Sequence, residues 1–453
     1  MLQTDCLIIG GGLAGLSVAY HLQRDYLLSE KEARVGGLCR TIQKKGYYFD
    51  LTGHLLHLRD TYIKDFIQKR IGDRLLQIDR NSWIFSQGCY TRYPFQSNTY
   101  GLPTETIKAC LTGFVEAMIK QQKTDKKFSL QNATFEEWIL RTFGSGIAKY
   151  FMIPYNTKLW TVHPRELGCG WMTRFVPQPT FDEVVQGALT DEQSRSGYNA
   201  HFLYPKAGGI EILPKALHKA ISEKASNSRR ILTGTEVVWI DPNTRQAKLC
   251  NGESVNYRSL ISTAPLPELL GMISELPDYI RELGSKLRWT SVYNVNLGLI
   301  GAPKSDKHWI YIPEEKYRCY RIGYITNFSR KMARAKKMSR ECCQSVYTEV
   351  SYPAPEPINK EKTTEQIIKN LFDMRIITDR SHINMIQISD IPYAYVIYDS
   401  NHGSVVPPIH DYLNSQGIYS IGRYGRWVYN SMEDALLDGR ETASRLDKES
   451  NCL

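Results

Sequence analysis

The feature that most constrains the fold is a glycine-rich turn between an apolar run and an amphipathic segment near the start of the chain. Residues 5–9 (DCLII) have strand character, residues 10–15 (GGGLAG) form the turn, and residues 16–22 (LSVAYHL) have helical character. A second apolar run, residues 26–28, is followed by Ser29 and Glu30. Strand, glycine turn, helix, strand and acid in this order are what a dinucleotide site requires. The stretch therefore predicts a Rossmann-like domain that binds a dinucleotide.

Each position of the turn has a physical reason. Gly10 allows the sharp bend out of the strand, Gly12 lets the backbone approach a pyrophosphate, and Gly15 lets the helix pack closely on the sheet. The N-terminus of the helix that follows offers unpaired N–H groups and a partial positive charge to the phosphates. A glycine-rich turn alone is weak support, because such turns are common. The flanking strand, helix and acid make it specific.

The acid and a second glycine pair narrow the cofactor. A carboxylate at Glu30 would accept both hydroxyls of the adenosine ribose, and it disfavours a cofactor phosphorylated there because two anions would meet. Residues 34–41 (RVGGLCRT) follow directly, with Arg34 or Arg40 available for the pyrophosphate charge. This tail resembles the second fingerprint of FAD enzymes of the amine oxidase and protoporphyrinogen oxidase type, and NAD dehydrogenases lack it. FAD is therefore the predicted cofactor, bound in this region by Gly10, Gly12, Leu13, Ala14, Gly15, Glu30, Lys31, Gly37 and Leu38.

Length and composition define the class of protein. The 453 residues suffice for two or three sub-domains, and 42% hydrophobic with 23% charged residues is typical of a globular protein. The sequence lacks a long uncharged apolar run, so we expect no transmembrane segment. The first strand begins so close to Met1 that we expect no signal peptide. The ten cysteines are scattered without CxxC spacing, which favours reduced thiols over disulfides or zinc. We expect a cytoplasmic protein without a metal.

The net charge of +10 suits an acidic ligand, and the basic residues are dispersed except in residues 330–340 (RKMARAKKMSR). A solvated loop is the ordinary interpretation of such a run. Docking to a membrane surface or nucleic acid is the alternative. We expect no nucleic-acid partner.

The order of patterns predicts three regions. Residues 104–153 are helical in pattern, with a capping box at Thr134 and Glu137, whereas strand-like alternation dominates from 289 to 398. The expected fold is α/β, with a Rossmann-like FAD-binding domain, an inserted helical segment and an antiparallel-sheet substrate domain. The predicted cofactor set is completed by Val237, Gly422, Arg423 and Met432. The predicted boundaries are 1–75, 200–285 and 405–453 for a discontinuous FAD domain, 76–199 for a mainly helical insertion, and 286–404 for the substrate domain.

Several further segments resemble the UDP-galactopyranose mutases, and they are spread over nearly the whole chain. They correspond in these enzymes to the segment beside the flavin ring, the substrate cleft, the two diphosphate arginines, a tyrosine-rich strand and the run beside the substrate phosphates. The segments are 53–57 (GHLLH), 155–160 (YNTKLW), 173–177 (TRFVP), 320–322 (YRI), 393–399 (YAYVIYD) and 422–429 (GRYGRWVY).

The resemblance implies a mutase that interconverts the pyranose and furanose forms of a UDP-sugar, with UDP-galactose as the first candidate. Its implied mechanism has no net redox change: N5 of reduced FAD attacks the anomeric carbon as UDP leaves, and the adduct opens, recloses and takes UDP back. An external reductant such as NAD(P)H and a homo-oligomeric state would be compatible with it. Planar arginines suit a diphosphate because they bind it bidentately. The implied roles are a diphosphate clamp of Arg174 and Arg321, a flavin face shaped by His54 and His57, and a substrate cleft lined by Tyr155, Lys158, Trp160, Tyr395, Tyr398 and Tyr429.

Each of these residues also has a purely structural interpretation. Trp160 and the strand tyrosines could be packing residues, the two arginines could form surface ion pairs, His54 could cap a turn, and Lys158 could be an ordinary surface residue. The chain also departs from the bacterial mutases, because Ser431 stands where they have an acid, with Glu433 and Asp434 beyond it. The alternative function is an FAD-dependent oxidase or dehydrogenase of the amine oxidase or protoporphyrinogen oxidase type. A flavin-binding protein that docks through its basic loop is a third.

Overall fold

The computed structural model describes residues 1–123, 128–131, 133–172, 176–191, 200–224, 229–333 and 343–451. Its strands, in chain order, are β1 (Leu2–Ile9), β2 (Tyr26–Glu30), β3 (Thr41–Lys44), β4 (Tyr47–Asp50), β5 (Leu75–Asp79), β6 (Ser82–Ser86), β7 (Cys89–Arg92), β8 (His201–Pro205), β9 (Arg229–Thr233), β10 (Val237–Asp241), β11 (Gln246–Leu249), β12 (Ser254–Ser262), β13 (Trp289–Ile300), β14 (Trp309–Tyr311), β15 (Arg321–Tyr324), β16 (Cys343–Pro353), β17 (Ile383–Val396) and β18 (Ile418–Ser420).

Helices alternate with these strands in the first and last parts of the chain and cluster in its second quarter. They are α1 (Leu13–His21), α2 (Thr61–Ile71), α3 (Thr104–Gln122), α4 (Phe135–Ile147), α5 (Ile153–Trp160), α6 (Phe181–Leu189), α7 (Ile212–Glu223), α8 (Leu266–Met272), α9 (Asp278–Ser285), α10 (Ile325–Phe328), α11 (Lys360–Asp373), α12 (His402–Ser415), α13 (Gly422–Gly425) and α14 (Met432–Asn451). Among the described residues, no helix combines the length and the apolar character that a membrane span needs.

The first sheet has the order β10-β11-β12-β1-β2-β9, and β18 adds to β12. The strands from β18 through β12, β1 and β2 to β9 run parallel, whereas β10, β11 and β12 form an antiparallel meander. All five residues of β2 are buried, as expected for a parallel strand covered on both faces. The predicted α/β class is confirmed. Strands from the beginning, the middle and the end of the chain meet in this sheet.

Helix α14 lies directly on α1. The Ser17 hydroxyl donates to the Leu436 carbonyl at 2.6 Å, and a Cβ at Gly439 would overlap the Ala14 carbonyl oxygen. This close packing brings the end of the chain to the glycine turn that precedes α1.

The second sheet has seven strands in the order β17-β13-β16-β15-β14-β6-β7 and is antiparallel except where β14 meets β6. Apolar residues of α11, such as Ile367 and Leu371, share a buried cluster with Val295 and Leu297 of β13. Strands β6 and β7 lie within residues 76–199, so part of the region expected to be helical joins this sheet. The three-region division itself stays a prediction.

The helical segment leads into the helix that carries part of the predicted substrate cleft. The predicted capping box is confirmed: Glu137 N–H donates to the Thr134 hydroxyl at 3.2 Å, and Thr134 N–H donates to the Glu137 carboxylate at 2.8 Å. Helices α3 and α4 pack closely at Gly146, because a Cβ there would overlap the Ala109 carbonyl. A π-helical turn after α4 then leads into α5, which carries three of the predicted cleft residues.

Candidate functional site

The two glycine pairs of the N-terminal region pack against each other. Gly10 has a φ of +96°, and a Cβ there would overlap the Thr263 hydroxyl. Gly36 N–H donates to the Gly11 carbonyl at 2.8 Å, which places Gly37, with a φ of +56°, against Gly12. Side chains are therefore excluded from the space in front of the α1 N-terminus, as a pyrophosphate requires.

Glu30 lies at the end of β2 and is only 6% exposed. Its Oε2 accepts from Gly11 N–H at 2.7 Å and its Oε1 accepts from Glu32 N–H at 2.9 Å. Two backbone bonds leave further lone pairs on the carboxylate for ribose hydroxyls. The segment leading to Val237 is tied to this point, because Thr235 N–H donates to the Glu30 carbonyl at 2.9 Å. Lys31 instead forms a surface ion pair with Glu268 at 3.6 Å.

The end of the chain closes over α1. Gly422 has a φ of +75°, and a Cβ there would lie 3.0 Å from the Ala14 Cβ. Asp438, whose pKa is raised by burial, accepts from Arg426 at 2.6 Å and holds the following turn against α14. Met432 begins α14 and is half-buried against the same core as α1, whereas Leu38 packs against the core that lines the cleft.

The acidic residues that follow Tyr429 accept hydrogen bonds from backbone N–H groups. Asp434 Oδ2 accepts from Ser431 N–H at 2.7 Å and from its hydroxyl at 2.9 Å, so Ser431 caps α14. Glu433 is 6% exposed, and its Oε1 accepts from the N–H groups of Arg59 and Asp60 at 2.6 and 2.8 Å. Ser431, which departs from the bacterial mutases, is therefore part of a helix cap with Asp434. Glu433 anchors the segment that follows His57.

An aromatic wall brings the predicted cleft residues together. Trp160, only 2% exposed, meets Trp171, Tyr395 and Tyr429 edge-on at centroid distances of 4.9, 5.4 and 6.1 Å. Tyr429 N–H donates to the Tyr398 hydroxyl at 2.7 Å. These contacts join α5 to the end of β17 and to the segment before α14. Trp160 is a wall of the cleft rather than an open platform.

Tyrosine hydroxyls extend this wall toward the second sheet. The Tyr320 and Tyr395 hydroxyls are 3.4 Å apart, and Tyr155 meets the Tyr320 ring at 6.4 Å. Arg423 lies over the Tyr429 ring at 4.6 Å and donates to the carbonyls of Asn430 and Ala394. The segments predicted from 155–160, 320–322, 393–399 and 422–429 thus share one network.

Arg321 is already engaged within this network. Its Nε donates to Glu349 Oε2 at 2.7 Å and its Nη2 donates to Glu349 Oε1 at 2.9 Å, a bidentate pair. Glu349 is fully buried in β16 and also accepts from Gly53 N–H at 3.3 Å. The pair uses two of the five guanidinium donors, which leaves the two on Nη1 and the second on Nη2 without a hydrogen bond among the described residues.

The two predicted histidines have different surroundings. Burial lowers the pKa of His54 to about 4, which Glu349 partly opposes and Arg423 reinforces. Burial also lowers the pKa of His57 to about 4, and its Nδ1 lies 3.2 Å from the His201 carbonyl. Both rings are neutral at pH 7. The charges of Glu349 and Arg321 both act on the pKa of His54, in opposite directions. His57 instead packs on the Phe202 ring at 6.5 Å.

Three buried polar atoms around this cleft have no hydrogen-bond partner among the described residues. They are His54 Nδ1, Arg423 Nε and Asn430 Oδ1. Buried polar groups are normally paired, so unpaired donors and acceptors beside a glycine cradle fit a polar ring system. Together with the space kept by Gly12 and Gly37, they fit a flavin dinucleotide.

Residues 13–447 match the family described as flavin containing amine oxidoreductases. The chain belongs to this family. It is a flavoprotein.

Among solved structures, this flavoprotein is similar to one described as reduced UDP-galactopyranose mutase, with a TM-score of 0.88, 26% identity, and coverage of 99% of this chain and 94% of that one. A putrescine oxidase bound to putrescine shares the fold at a TM-score of 0.64 and 16% identity, with 99% of each chain covered.

Relatives by sequence are oxidases. The L-amino acid oxidase bordonein-L of Crotalus durissus terrificus is 26% identical over 283 residues, 56% of this chain and 48% of that protein. Protoporphyrinogen oxidase 1 of Spinacia oleracea is 21% identical over 384 residues, 78% of this chain and 64% of that protein. The flavoprotein thus spans about half the length of the first of these relatives.

Some expectations for the flavoprotein receive no structural description. Arg174 falls within residues 173–175, and most of the basic run falls within residues 334–342; both stretches lie outside the described residues. Arg330 and Lys331, at the start of that run, are exposed. Nowhere in the described part of the chain do three or more His, Cys, Asp or Glu side chains gather to hold a metal ion.

Sequence reasoning missed Glu349 and misplaced the environment of Lys158. Glu349 is the one acid in the strand-like run 347–352 (YTEVSY), and an acid inside a buried strand is a signal that it has a partner. Lys158 does not line the open cleft. Its ammonium donates to backbone carbonyls of the segment between β14 and β15, at distances from 2.7 to 3.1 Å.

Proposed function

We propose that the protein is an FAD-dependent mutase that interconverts the pyranose and furanose forms of a UDP-sugar, with UDP-galactose as the first candidate. The observation that supports it most is that residues chosen by the mutase resemblance, from segments far apart in sequence, share one contact network. The likeness to the reduced mutase structure extends over 99% of the chain. FAD in particular is favoured by Glu30, which leaves acceptors for the adenosine ribose.

The wall of the cleft supplies donors suited to a diphosphate. Burial raises the pKa of Tyr395 to about 12 and holds the pKa values of Tyr155 and Tyr320 well above their ordinary value. Each of these hydroxyls is therefore protonated at neutral pH and can donate without adding negative charge. With the Nη1 donors of Arg321, they would hold the diphosphate after it leaves.

The protein's task in such a reaction is orientation. When bound and reduced, the flavin supplies a nucleophilic nitrogen and is not consumed. The chain must keep the leaving UDP beside the anomeric carbon until the sugar ring recloses, and effective concentration of this kind can lower a barrier substantially. The aromatic wall of Trp160, Tyr395 and Tyr429 would exclude water from that pair. Neutral His54 would border the flavin face.

The proposal also covers the reductant, the cellular location and the oligomeric state. A redox-neutral reaction needs a reductant only to prime the flavin, and NAD(P)H is the candidate. The eight described cysteines are all free thiols, which suits the cytoplasm. A homo-oligomer stays compatible with the sequence.

Arg174 keeps its role in the clamp as a sequence-based prediction. We expect Arg174→Ala to weaken UDP binding by about 2–5 kcal/mol, the usual cost of removing one partner of a buried charge pair. Isothermal titration of UDP into wild type and variant would measure it. Equal affinity in both would remove Arg174 from the clamp.

An FAD-dependent oxidase is the second candidate, because the matching L-amino acid oxidase and protoporphyrinogen oxidase are oxidases by name. One experiment separates the two. The purified flavoprotein is reduced with dithionite without oxygen, incubated with UDP-galactose, and the sugar nucleotides are separated by chromatography. A furanose product formed only with reduced flavin supports the mutase. No isomerisation, together with flavin reduction by an amino acid or amine, supports the oxidase.

A further inference from the structure

Lys158 is enclosed by backbone carbonyls rather than by carboxylates or solvent. It lies in α5, between the cleft residues Tyr155 and Trp160, and its Nζ reaches across to the segment that joins β14 to β15. The four acceptors are the carbonyl oxygens of Ile312 at 2.8 Å, Glu314 at 3.1 Å, Tyr317 at 2.7 Å and Cys319 at 2.7 Å.

Four converging carbonyls form a cation site. Carbonyl dipoles that point at one place repel each other, and proteins assemble them around a cation such as K⁺ or Ca²⁺. An ammonium group has three donors and no acceptor, so it can serve as that cation. The carboxylate of Glu314, whose carbonyl is one of the four acceptors, pairs with the exposed Lys316 at 3.3 Å instead. The charge of Lys158 is therefore balanced by the backbone of residues 312–319.

The same segment ends at the cleft. Tyr320 follows Cys319 directly, its carbonyl accepts from Ile312 N–H at 2.9 Å, and its N–H donates to the Glu349 carbonyl at 3.0 Å. Arg321 comes next and forms the bidentate pair with the Glu349 side chain. The orientation of both side chains depends on where this segment is held, and the Lys158 bonds tie it to α5 in addition to the ring contact of Tyr155 with Tyr320.

We propose that Lys158 is a positioning residue: as the internal cation of a carbonyl cage, it fixes residues 312–319 and thereby sets Tyr320 and Arg321 on the cleft wall. Lys158 itself does not touch the substrate. The part that concerns UDP rests on the proposed function, whereas the cage and its hold on the segment do not.

The first test measures the cage without any substrate. Hydrogen exchange of peptides covering residues 312–322 is compared between wild type, Lys158→Ala and the control Lys316→Met, which removes an exposed lysine of the same segment. Only Lys158→Ala should exchange faster, by about tenfold or more at the amides of Ile312 and Tyr320. Propylammonium, which replaces the deleted part of the side chain, should restore protection, whereas propanol should not. Unchanged exchange, or equal rescue by propanol, would overturn the cage.

The second test separates positioning from a general loss of stability. UDP affinity is measured for Lys158→Ala and for Ile67→Val, a core substitution in α2 that lowers stability in a buried cluster containing no residue of 312–322. A displaced Tyr320 and Arg321 should weaken UDP binding by about tenfold or more in the lysine variant alone. Retention of UDP affinity within about twofold would overturn the positioning role.

Two precautions keep the outcomes distinct. If Lys158→Ala does not fold, Lys158→Arg takes its place: it keeps the charge, but its planar fork cannot point donors at four converging oxygens, so faster exchange is again expected. If wild type does not bind UDP, the proposed function fails, and the exchange and rescue measurements decide the role of Lys158 on their own.

Discussion

At the scale of single residues, Arg321 and Glu349 form a buried ion pair that should contribute to stability. Glu349 has no exposed surface, and the Arg321 side chain is 19% exposed. Breaking a buried pair leaves an uncompensated charge and costs about 3–5 kcal/mol. We expect Glu349→Gln to lower the free energy of unfolding by roughly this amount, measured by denaturant titration. Asp191→Asn, which breaks the more exposed bidentate pair with Arg92, should cost only about 0–1 kcal/mol. Equal costs would mean that the buried pair is solvated in solution.

Asp50 is a buried acid whose charge the fold disfavours. It accepts from the hydroxyls of Thr41 and Tyr204, both at 2.6 Å, yet burial raises its pKa from 3.8 to about 6. The folded protein therefore holds a proton that the unfolded chain releases, so this residue lowers stability as pH rises from about 4 to 6. Relative to wild type, Asp50→Asn should gain up to about 3 kcal/mol between pH 4 and pH 7. A difference in unfolding free energy that stays constant over this range would contradict it.

At the scale of elements, a substitution in the glycine turn should weaken cofactor binding without impairing folding. A Cβ at Gly12 would lie 3.9 Å from the nearest atom, an ordinary contact, and its φ of −72° suits any residue. The added methyl would instead stand where a pyrophosphate approaches the backbone. Gly12→Ala should keep the wild-type circular dichroism but bind flavin at least about tenfold more weakly, which is about 1.4 kcal/mol. Gly271→Ala in α8, where a Cβ meets nothing within 4 Å, is the control. Normal flavin affinity in Gly12→Ala would place the pyrophosphate elsewhere.

Local sequence patterns predicted the helices, strands and turns. The partners of individual side chains depend on how distant strands and helices pair, which local patterns do not encode. The glycine turn, the capping box of Thr134 and the strand-like run around Tyr347 are encoded within a few neighbouring residues. Arg321 and Glu349 are 28 positions apart and pair because β15 and β16 place them opposite each other. The four carbonyls around Lys158 lie more than 150 positions away and carry no side-chain signal at all. The departure at Ser431 was visible in the sequence, and the structure explains it as a helix cap because Asp434 follows Ser431 by three residues.

At the scale of the whole molecule, the site lies where two sheets meet. The first sheet and α1 supply the glycine cradle, the second sheet supplies Arg321 and Glu349, and the end of the chain adds Arg423 to both. This last contribution depends on α14, which is held on α1 by Ser17 and by the absence of a side chain at Gly439. We therefore expect cofactor binding to depend on the packing of α14 on α1.

Gly439→Ala tests this coupling. The new methyl group would overlap the Ala14 carbonyl, and overpacking of this kind costs about 1–3 kcal/mol. Because α14 also carries Met432 and holds the turn after Gly422, its displacement should weaken flavin binding as well as the fold. Thermal unfolding with and without added flavin should show a lower Tm and a smaller stabilisation by flavin than in wild type. Gly403→Ala in α12, where a Cβ meets no atom within 4 Å, should change neither value. If the variant has a lowered Tm but is stabilised by flavin as much as wild type, α14 contributes to stability and not to flavin binding.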